Sequence, residues 1–209
     1  LVAAKLNIPV IHLEAGLRSY NRQMPEELNR ITTDHLSTLL FAPTEEAVKN
    51  LTKEGIVQNV YKNGDVMIDL LLKAVASPEM TQIFPHQNYY FATLHRPYNT
   101  DDFKRLSVIL NTLNKLNKPV VFAMHPRTKS ILNMHNFLEE QLTNLIVIDP
   151  LSYFENIRAL YYSEAVITDS GGIQKEAYVL GRKCVTVRSE TEWIETLNGG
   201  WNHLVFKDL

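Results

Sequence analysis

The sequence predicts a doubly wound α/β fold in two domains, the first of them incomplete. Three observations carry this expectation. Short β-branched and apolar runs alternate with segments whose apolar residues recur at helical spacing. Strand and helix in turn imply a parallel sheet covered by helices. Several runs are continuously apolar rather than alternating, which suits strands buried on both faces. Finally, the stretch 78–88 holds Pro78, Pro85, His86, Gln87 and Asn88 and shows little periodicity. It reads as a linker between a first domain at 1–77 and a second at 89–209.

Each element has its own local reason. Val2 to Leu6 reads as the end of a helix, and Asn7-Ile8-Pro9 feeds a strand at 9–13. The segment from Pro25 carries Leu28, Ile31, His35, Leu36 and Leu39 at helical spacing, and proline followed by two carboxylates suits a first turn. A strand at 39–42 precedes Thr44, the N-cap of a helix through Leu51. A strand at 60–62 precedes Asp65, which caps a helix through Leu72 in the same way. After the linker come strands at 89–93, 119–123, 145–148, 165–168 and 183–186. Ser152 and Glu155 form a capping box ahead of Ile157, Leu160 and Tyr161. His203-Leu204-Val205 reads as a last strand. About three strands precede the linker, too few for a complete doubly wound domain, and the chain opens on Leu1 in mid-helix. The expectation is a fragment cut inside its first domain.

Composition narrows the function. The chain has 209 residues, 45% of them hydrophobic, enough to bury one sizeable core or two small ones. With 21 basic and 23 acidic residues the net charge is -2, so no basic excess points to a nucleic-acid or membrane partner. The single cysteine, Cys184, excludes a disulfide framework and a cysteine metal cluster, and a cytoplasmic protein is the simplest reading. No apolar run approaches the roughly 20 residues that span a bilayer. Leu1-Val2-Ala3-Ala4-Lys5 lacks the basic and long apolar regions of a signal peptide.

In doubly wound sheets ligands bind beyond the carboxyl ends of the strands, so polar residues just after strands are the informative ones. The strongest local signal is Asp169-Ser170-Gly171-Gly172, a turn from strand into helix. Gly171 and Gly172 let the backbone approach a ligand, and the helix start offers N–H groups to a phosphate. Ser170 adds a hydroxyl, and Glu176 a carboxylate that can accept two ribose hydroxyls. An ordinary strand-to-helix turn with a surface glutamate has the same composition. Glu14 follows a buried strand, where a carboxylate is costly unless paired or used. Glu26 and Glu27 open the next helix. These carboxylates can supply acid and base, or Glu26 can pair with Arg30 and Glu14 with Arg18. His95-Arg96 and His125-Pro126-Arg127 follow successive strands and suggest a positive rim, although each histidine can equally bond to strand-end backbone. Arg188, Thr191 and Glu192, after the strand at 183–186, are expected to face the same ligand edge. Trp193 and Trp201 read as packing residues, and His12 and His35 as packed or capping ones. No histidine pair has a metal-ligand arrangement with an acidic third ligand, so no metal site is expected.

Taken together, the segments resemble the non-hydrolysing UDP-N-acetylglucosamine 2-epimerases. The matching pieces are His12 through Ser19 (HLEAGLRS), Pro25 through Arg30 (PEELNR), Phe41 through Thr44 (FAPT), Asn63-Gly64 with Ile68-Asp69, His95-Arg96, His125-Pro126, Asp169 through Ala177 (DSGGIQKEA) and Arg188 through Glu192. They stand in the family's order along nearly the whole chain. The resemblance implies two Rossmann-like domains of glycosyltransferase-B type, a UDP-sugar substrate and reversible inversion at the sugar's C2 through loss and re-addition of UDP. It implies no cofactor and a homodimer. It makes Glu14, Glu26 and His95 catalytic, and Ser170, Gly171, Gly172, Glu176 and Arg188 substrate-binding. Arg96 and His125, with Glu26, match positions that in some members bind a second UDP-N-acetylglucosamine as an activator.

The chain departs from the family in places. The family's catalytic aspartate and first glycine-rich loop lie upstream of residue 1, so this chain is expected to be inactive or nearly so. The loop between Glu14 and Glu26 is short, Pro97 stands where many members have arginine, and Asn156 stands where some have an aromatic residue against the uracil, with Phe154 as a neighbouring substitute. A related UDP-hexosamine 2-epimerase, a glycosyltransferase of the same architecture and a nucleotide-sugar-binding regulator are the rival readings.

Overall fold

The computed structural model describes residues 1–85, 88–137 and 142–207. His86 and Gln87 of the expected linker, and Asp208 and Leu209 at the end of the expected second domain, lie outside the described residues. Contacts divide the chain into two units, Leu1–Leu70 with Glu190–Glu192, and Leu71–Ser189 with Trp193–Leu209.

The first unit contains α1 (Val2–Lys5), β1 (Ile11–Leu13), α2 (Pro25–Leu36), β2 (Leu39–Ala42), α3 (Glu45–Lys53) and β3 (Val60–Lys62). The division between the units falls within α4 (Val66–Val75). Its sheet is parallel, in the order β1-β2-β3. The helix starts follow from their residues. Pro25 sits in the first turn of α2 with Glu26 and Glu27. Thr44 Oγ1 accepts the Ala47 N–H at 3.1 Å, and Asp65 Oδ1 accepts the Met67 N–H at 2.8 Å. Leu40, Ala42, Ala47 and Leu51 are buried, together with Ala15 and Leu17 of the β1–α2 connection. Gly16 makes that last contact possible. Its φ is +82°, and a Cβ there would fall 2.3 Å from the Ala47 carbonyl oxygen.

The second unit carries β4 (Tyr90–Leu94), α5 (Pro97–Thr100), α6 (Phe103–Asn114), β5 (Val120–Met124), α7 (Pro126–Met134), β6 (Leu145–Ile148), α8 (Tyr153–Tyr162), β7 (Ala165–Thr168), α9 (Gly171–Val179), β8 (Lys183–Thr186), a 3-10 segment at Ile194–Gly200, and β9 (Asn202–Leu204). All six strands are parallel, in the order β6-β5-β4-β7-β8-β9. Counted from β4, this is the 3-2-1-4-5-6 order of the Rossmann sheet. The order reverses between β4 and β7.

Alternate side chains along these strands enter two different cores. Ala92, Leu94, Val120, Phe122 and Ile167 pack with Leu106, Ile109 and Leu110 of α6 and Leu132 of α7. Phe91, Val121, Val166 and Cys184 pack with Ile157 and Leu160 of α8 and Ala177 of α9. A sheet buried on both faces explains why its strands read as continuous apolar runs. Each fully buried leucine or phenylalanine contributes about 1.5–3 kcal/mol. The parallel α/β architecture expected from the sequence is present in both sheets.

Candidate functional site

The reversal of strand order opens a crevice at the carboxyl ends of β4 and β7. β4 delivers Thr93, Leu94, His95 and Arg96 to it, and β7 delivers Thr168, Asp169 and Ser170. Asp169 is fully buried and ties the two strand ends together. Its Oδ1 accepts the His95 N–H at 3.0 Å and lies 3.2 Å from His95 Nδ1. Its Oδ2 accepts the Arg96 N–H at 3.0 Å and the Asn99 side-chain amide at 2.9 Å. The His95 side chain is 45% exposed. Partial burial pulls its pKa below the ordinary value; Asp169 opposes this, and Arg96, His125 and Arg188 add to it. His95 is therefore a neutral imidazole at neutral pH.

Helix α9 starts where the sequence places it. Ser170 is its N-cap, with Oγ accepting the Ile173 N–H at 3.4 Å, and Gly171 and Gly172 are its first residues. Gly172 is exposed, and a Cβ there would meet nothing nearer than Ser170 Oγ at 3.9 Å. Neither backbone nor packing requires glycine at this position. Glu176, one turn further on, is 5% exposed. Burial lifts its pKa to about 7, against the pull of the neighbouring Lys175 ammonium and the Tyr153 hydroxyl. Burial and then the Glu176 carboxylate push Tyr153 up to about 12. Lys175 Nζ sits 4.1 Å from the ring centre of Trp193, which is buried as expected for a packing residue.

His95, His125, Asn156, Leu151 and Ile173 line an open cleft beside these strand ends. His125 caps α7, its Nδ1 accepting the Arg127 N–H at 3.2 Å, so backbone bonding and the cleft share this ring. Phe154, the suggested substitute for an aromatic residue at Asn156, lines a different cleft with Met80 and Arg158. Arg188, at the end of β8, is 1% exposed. Among the described residues, no group of three or more histidine, cysteine or acidic side chains is arranged to hold a metal ion.

In the first unit, Glu14 ends β1 with φ at +63°, a conformation that side chains rarely adopt and that clusters at functional positions. Glu26 is exposed on the first turn of α2. Arg18 and Arg30, weighed as partners for these residues, also meet other carboxylates. Arg18 is buried between Asp34, at 2.7 Å, and Glu54, also at 2.7 Å. Arg30 lies 3.4 Å from Glu192 and 3.9 Å from Glu27. Asp34 and Glu27 are fully buried and need partners. Glu27 also accepts the Ser19 and Tyr20 N–H groups at 2.9 Å and fixes the β1–α2 connection. His12 is bonded to Asp34 at 2.5 Å.

Four of these groups have partners that the sequence does not mark. Asp169 is legible as a strand-end aspartate, but its donors, His95, Arg96 and Asn99, lie at least 70 residues earlier. Asn99 sits beyond Pro97 with no pattern to mark it, and Asp34 occupies an ordinary helical position. Tyr153 sits inside a capping box that already explained its segment.

A family model described as UDP-N-acetylglucosamine 2-epimerase matches residues 1–208. The UDP-N-acetylglucosamine 2-epimerase homolog of Methanococcus maripaludis is 44% identical over 214 residues, which cover 98% of this chain and 60% of that protein. The UDP-2,3-diacetamido-2,3-dideoxy-D-glucuronate 2-epimerase of Pseudomonas aeruginosa is 45% identical over 213 residues, covering 98% and 59%. Among solved structures, the UDP-GlcNAc 2-epimerase of Methanocaldococcus jannaschii, in complex with UDP-GlcNAc and UDP, matches with a TM-score of 0.88 at 40% identity, covering 98% of this chain and 60% of that one. The chain spans about 60% of the length of these relatives.

Proposed function

The chain belongs to the UDP-N-acetylglucosamine 2-epimerase family, and on that premise we propose that its second unit binds the UDP part of a UDP-N-acetylhexosamine and that the whole protein inverts C2 of the sugar. The observation that carries this reading is the start of α9. Its exposed Gly172 and the N-terminal turn of α9 stand at the reversal point of a Rossmann-ordered sheet, where a diphosphate is stabilised by oriented N–H dipoles. Ser170, Gly171 and Gly172 hold the diphosphate, Glu176 the ribose, and Arg188 supplies positive charge near the leaving group.

The reaction is an elimination followed by addition. A base removes the C2 proton while the bond from C1 to the UDP oxygen breaks, leaving a 2-acetamidoglucal and UDP. Protonation from the opposite face and return of UDP to C1 complete the inversion. Glu14, Glu26 and His95 are the acid and base groups we assign to these steps, and donors at the α9 start stabilise the departing diphosphate. The chemistry needs no redox cofactor or metal. Arg96 and His125 are assigned to a second, activating UDP-sugar. We read residues 1–77 as the remainder of one Rossmann-like domain, 78–88 as a linker and 89–209 as the UDP-binding domain of a cytoplasmic homodimer.

A related UDP-hexosamine is the second reading, favoured by the 45% identity to the Pseudomonas aeruginosa enzyme. Incubation of the whole protein with UDP-N-acetylglucosamine in deuterated water tests the first, with C2 followed by NMR. Deuterium at C2 and the mannosamine epimer are the expected products. Neither product with this substrate, but both kinds of change with UDP-2,3-diacetamido-2,3-dideoxyglucuronate, transfers the assignment to the second reading.

A further inference from the structure

We propose that Asp169 is a positioning residue for His95, holding the imidazole by Nδ1 and leaving Nε2 as the nitrogen available to a ligand in the cleft. The geometry is that of a buried carboxylate surrounded by donors. Oδ1 takes the His95 N–H at 3.0 Å and faces Nδ1 of the same residue at 3.2 Å. Oδ2 takes the Arg96 N–H at 3.0 Å and the Asn99 amide at 2.9 Å. Asn99 is itself fixed: its amide also donates to the Val187 carbonyl at 3.0 Å, and its oxygen accepts from Arg105 Nε at 2.8 Å. Arg105 in turn donates to the Phe206 carbonyl at 2.8 Å. The carboxylate therefore sits at the end of a braced chain and cannot swing away.

The contact to Nδ1 is an ion-pair distance rather than an aligned hydrogen bond; because a carboxylate only accepts, it favours the proton on the imidazole nitrogen it faces. The neutral ring is then protonated at Nδ1 and bare at Nε2, the minor form of a free histidine. This arrangement makes Nε2 a base from the outset and lets the ring pass to imidazolium beside a fixed negative charge. The charged and titratable groups facing His95 are Asp169, Arg96, His125 and Arg188. Of these only Asp169 favours the protonated ring, so it sets both the tautomer and how far the pKa can fall. Asp169 also begins the turn into α9, so the placement of His95 and the N-cap Ser170 are fixed by one residue and its neighbour.

The kinetic consequence rests on the reading of His95 as a catalytic group; the tautomer does not. NMR of the ring nitrogens in this chain reads the tautomer directly, with the His95 signals assigned by their loss in His95→Gln. The expected result is an Nδ1-protonated neutral ring, and Asp169→Asn is expected to lower the His95 pKa further and shift the ring toward Nε2–H. A wild-type ring protonated at Nε2 overturns the proposal even if the variant does not fold, as does an unchanged titration in a folded Asp169→Asn. In the whole protein, Asp169→Asn is expected to lower kcat about 10- to 100-fold while KM stays within about 3-fold, with the acid limb of the pH profile moved down. Unchanged turnover in His95→Gln removes the catalytic reading of His95, and the tautomer measurement still decides the role of Asp169.

Discussion

Thr93 and Thr168 are register partners on β4 and β7, and their buried hydroxyl oxygens lie 2.9 Å apart. Thr168 Oγ1 also accepts the Ser170 N–H at 3.0 Å, so one hydroxyl serves the strand end before His95 and the turn before α9. Thr168→Val strips partners from both Thr93 and Ser170 and is expected to cost about 1–3 kcal/mol, the desolvation penalty of groups left unbonded. Thr93→Val leaves the Ser170 bond in place and is expected to cost about 0.5–1.5 kcal/mol. Urea denaturation of the two variants measures the difference, and equal costs would show that the Ser170 contact carries no weight.

Asp34 is the corresponding anchor of the first unit. It accepts from His12 at 2.5 Å, from the Gly16 N–H at 3.1 Å and pairs with Arg18 at 2.7 Å, and so brackets Glu14 on both sides. Burial pushes its carboxyl upward, but the His12 and Arg18 bonds together outweigh it and hold the pKa below the ordinary 3.8. A depressed acid contributes stability above its unfolded value and loses it as pH falls through the folded one. Asp34→Ala leaves Arg18 with Glu54 alone and is expected to cost about 3–5 kcal/mol at pH 7, as breaking a buried pair does. The loss should shrink as pH falls below the ordinary 3.8 and through the lower folded pKa, where the wild-type carboxylate also becomes protonated, and a cost independent of pH would sink the ionic account.

These anchors mark what was legible in the sequence and what was not. Strands, caps and the two-faced burial of the second sheet follow from apolar runs and from Thr44, Asp65, Ser152 and Ser170, each of which acts on residues within one turn. Pairings across the fold do not follow from spacing. Spacing offers Arg18 a carboxylate at i−4 in Glu14, but the fully buried Asp34 on α2 and Glu54 after α3, which it meets at 2.7 Å each, are visible only in the fold. In the same way, Asp169 takes its donors from His95 and Arg96 just past β4 and from Asn99 of α5, and the parallel pairing of β4 with β7 brings them there.

Glu176 links stability and binding through one proton. Its folded pKa of about 7 lies above the ordinary 4.5, so the folded state holds the proton more tightly. Stability from this group is fully present below about pH 4.5, declines as pH rises toward 7, and stays low above, by at most about 3 kcal/mol. Glu176→Gln is therefore expected to stabilise the chain at pH 8 and to leave it unchanged near pH 4. Binding runs the other way: a carboxylate accepting ribose hydroxyls must be ionised, so UDP affinity should fall as pH drops below 7, by up to about 10-fold per unit. Protonation of His95 would instead strengthen anion binding, so the sign separates the two groups. Calorimetric titration of UDP at pH 6, 7 and 8 measures it, and an affinity that rises toward pH 6 removes Glu176 from the site.

Gly172 separates binding from folding most cleanly. The α9 backbone at Gly172 is not left-handed, and an added methyl would meet only Ser170 Oγ at 3.9 Å. Gly172→Ala is therefore expected to be neutral or to stabilise α9 by about 0.5–1 kcal/mol, since glycine is the weaker helix former. If the diphosphate rests on the first-turn N–H groups, the same methyl stands between ligand and backbone, and UDP affinity should fall at least about 10-fold, the worth of one lost charge-assisted hydrogen bond. Gly16→Ala is the contrast. Its φ of +82° and the 2.3 Å approach to the Ala47 carbonyl make the added Cβ intolerable, so it should destabilise the first unit. Thermal melting and UDP titration of both variants test the pair. A stable Gly172→Ala chain that binds UDP as tightly as the wild type would move the diphosphate away from this turn, because no folding defect could then be hiding the effect.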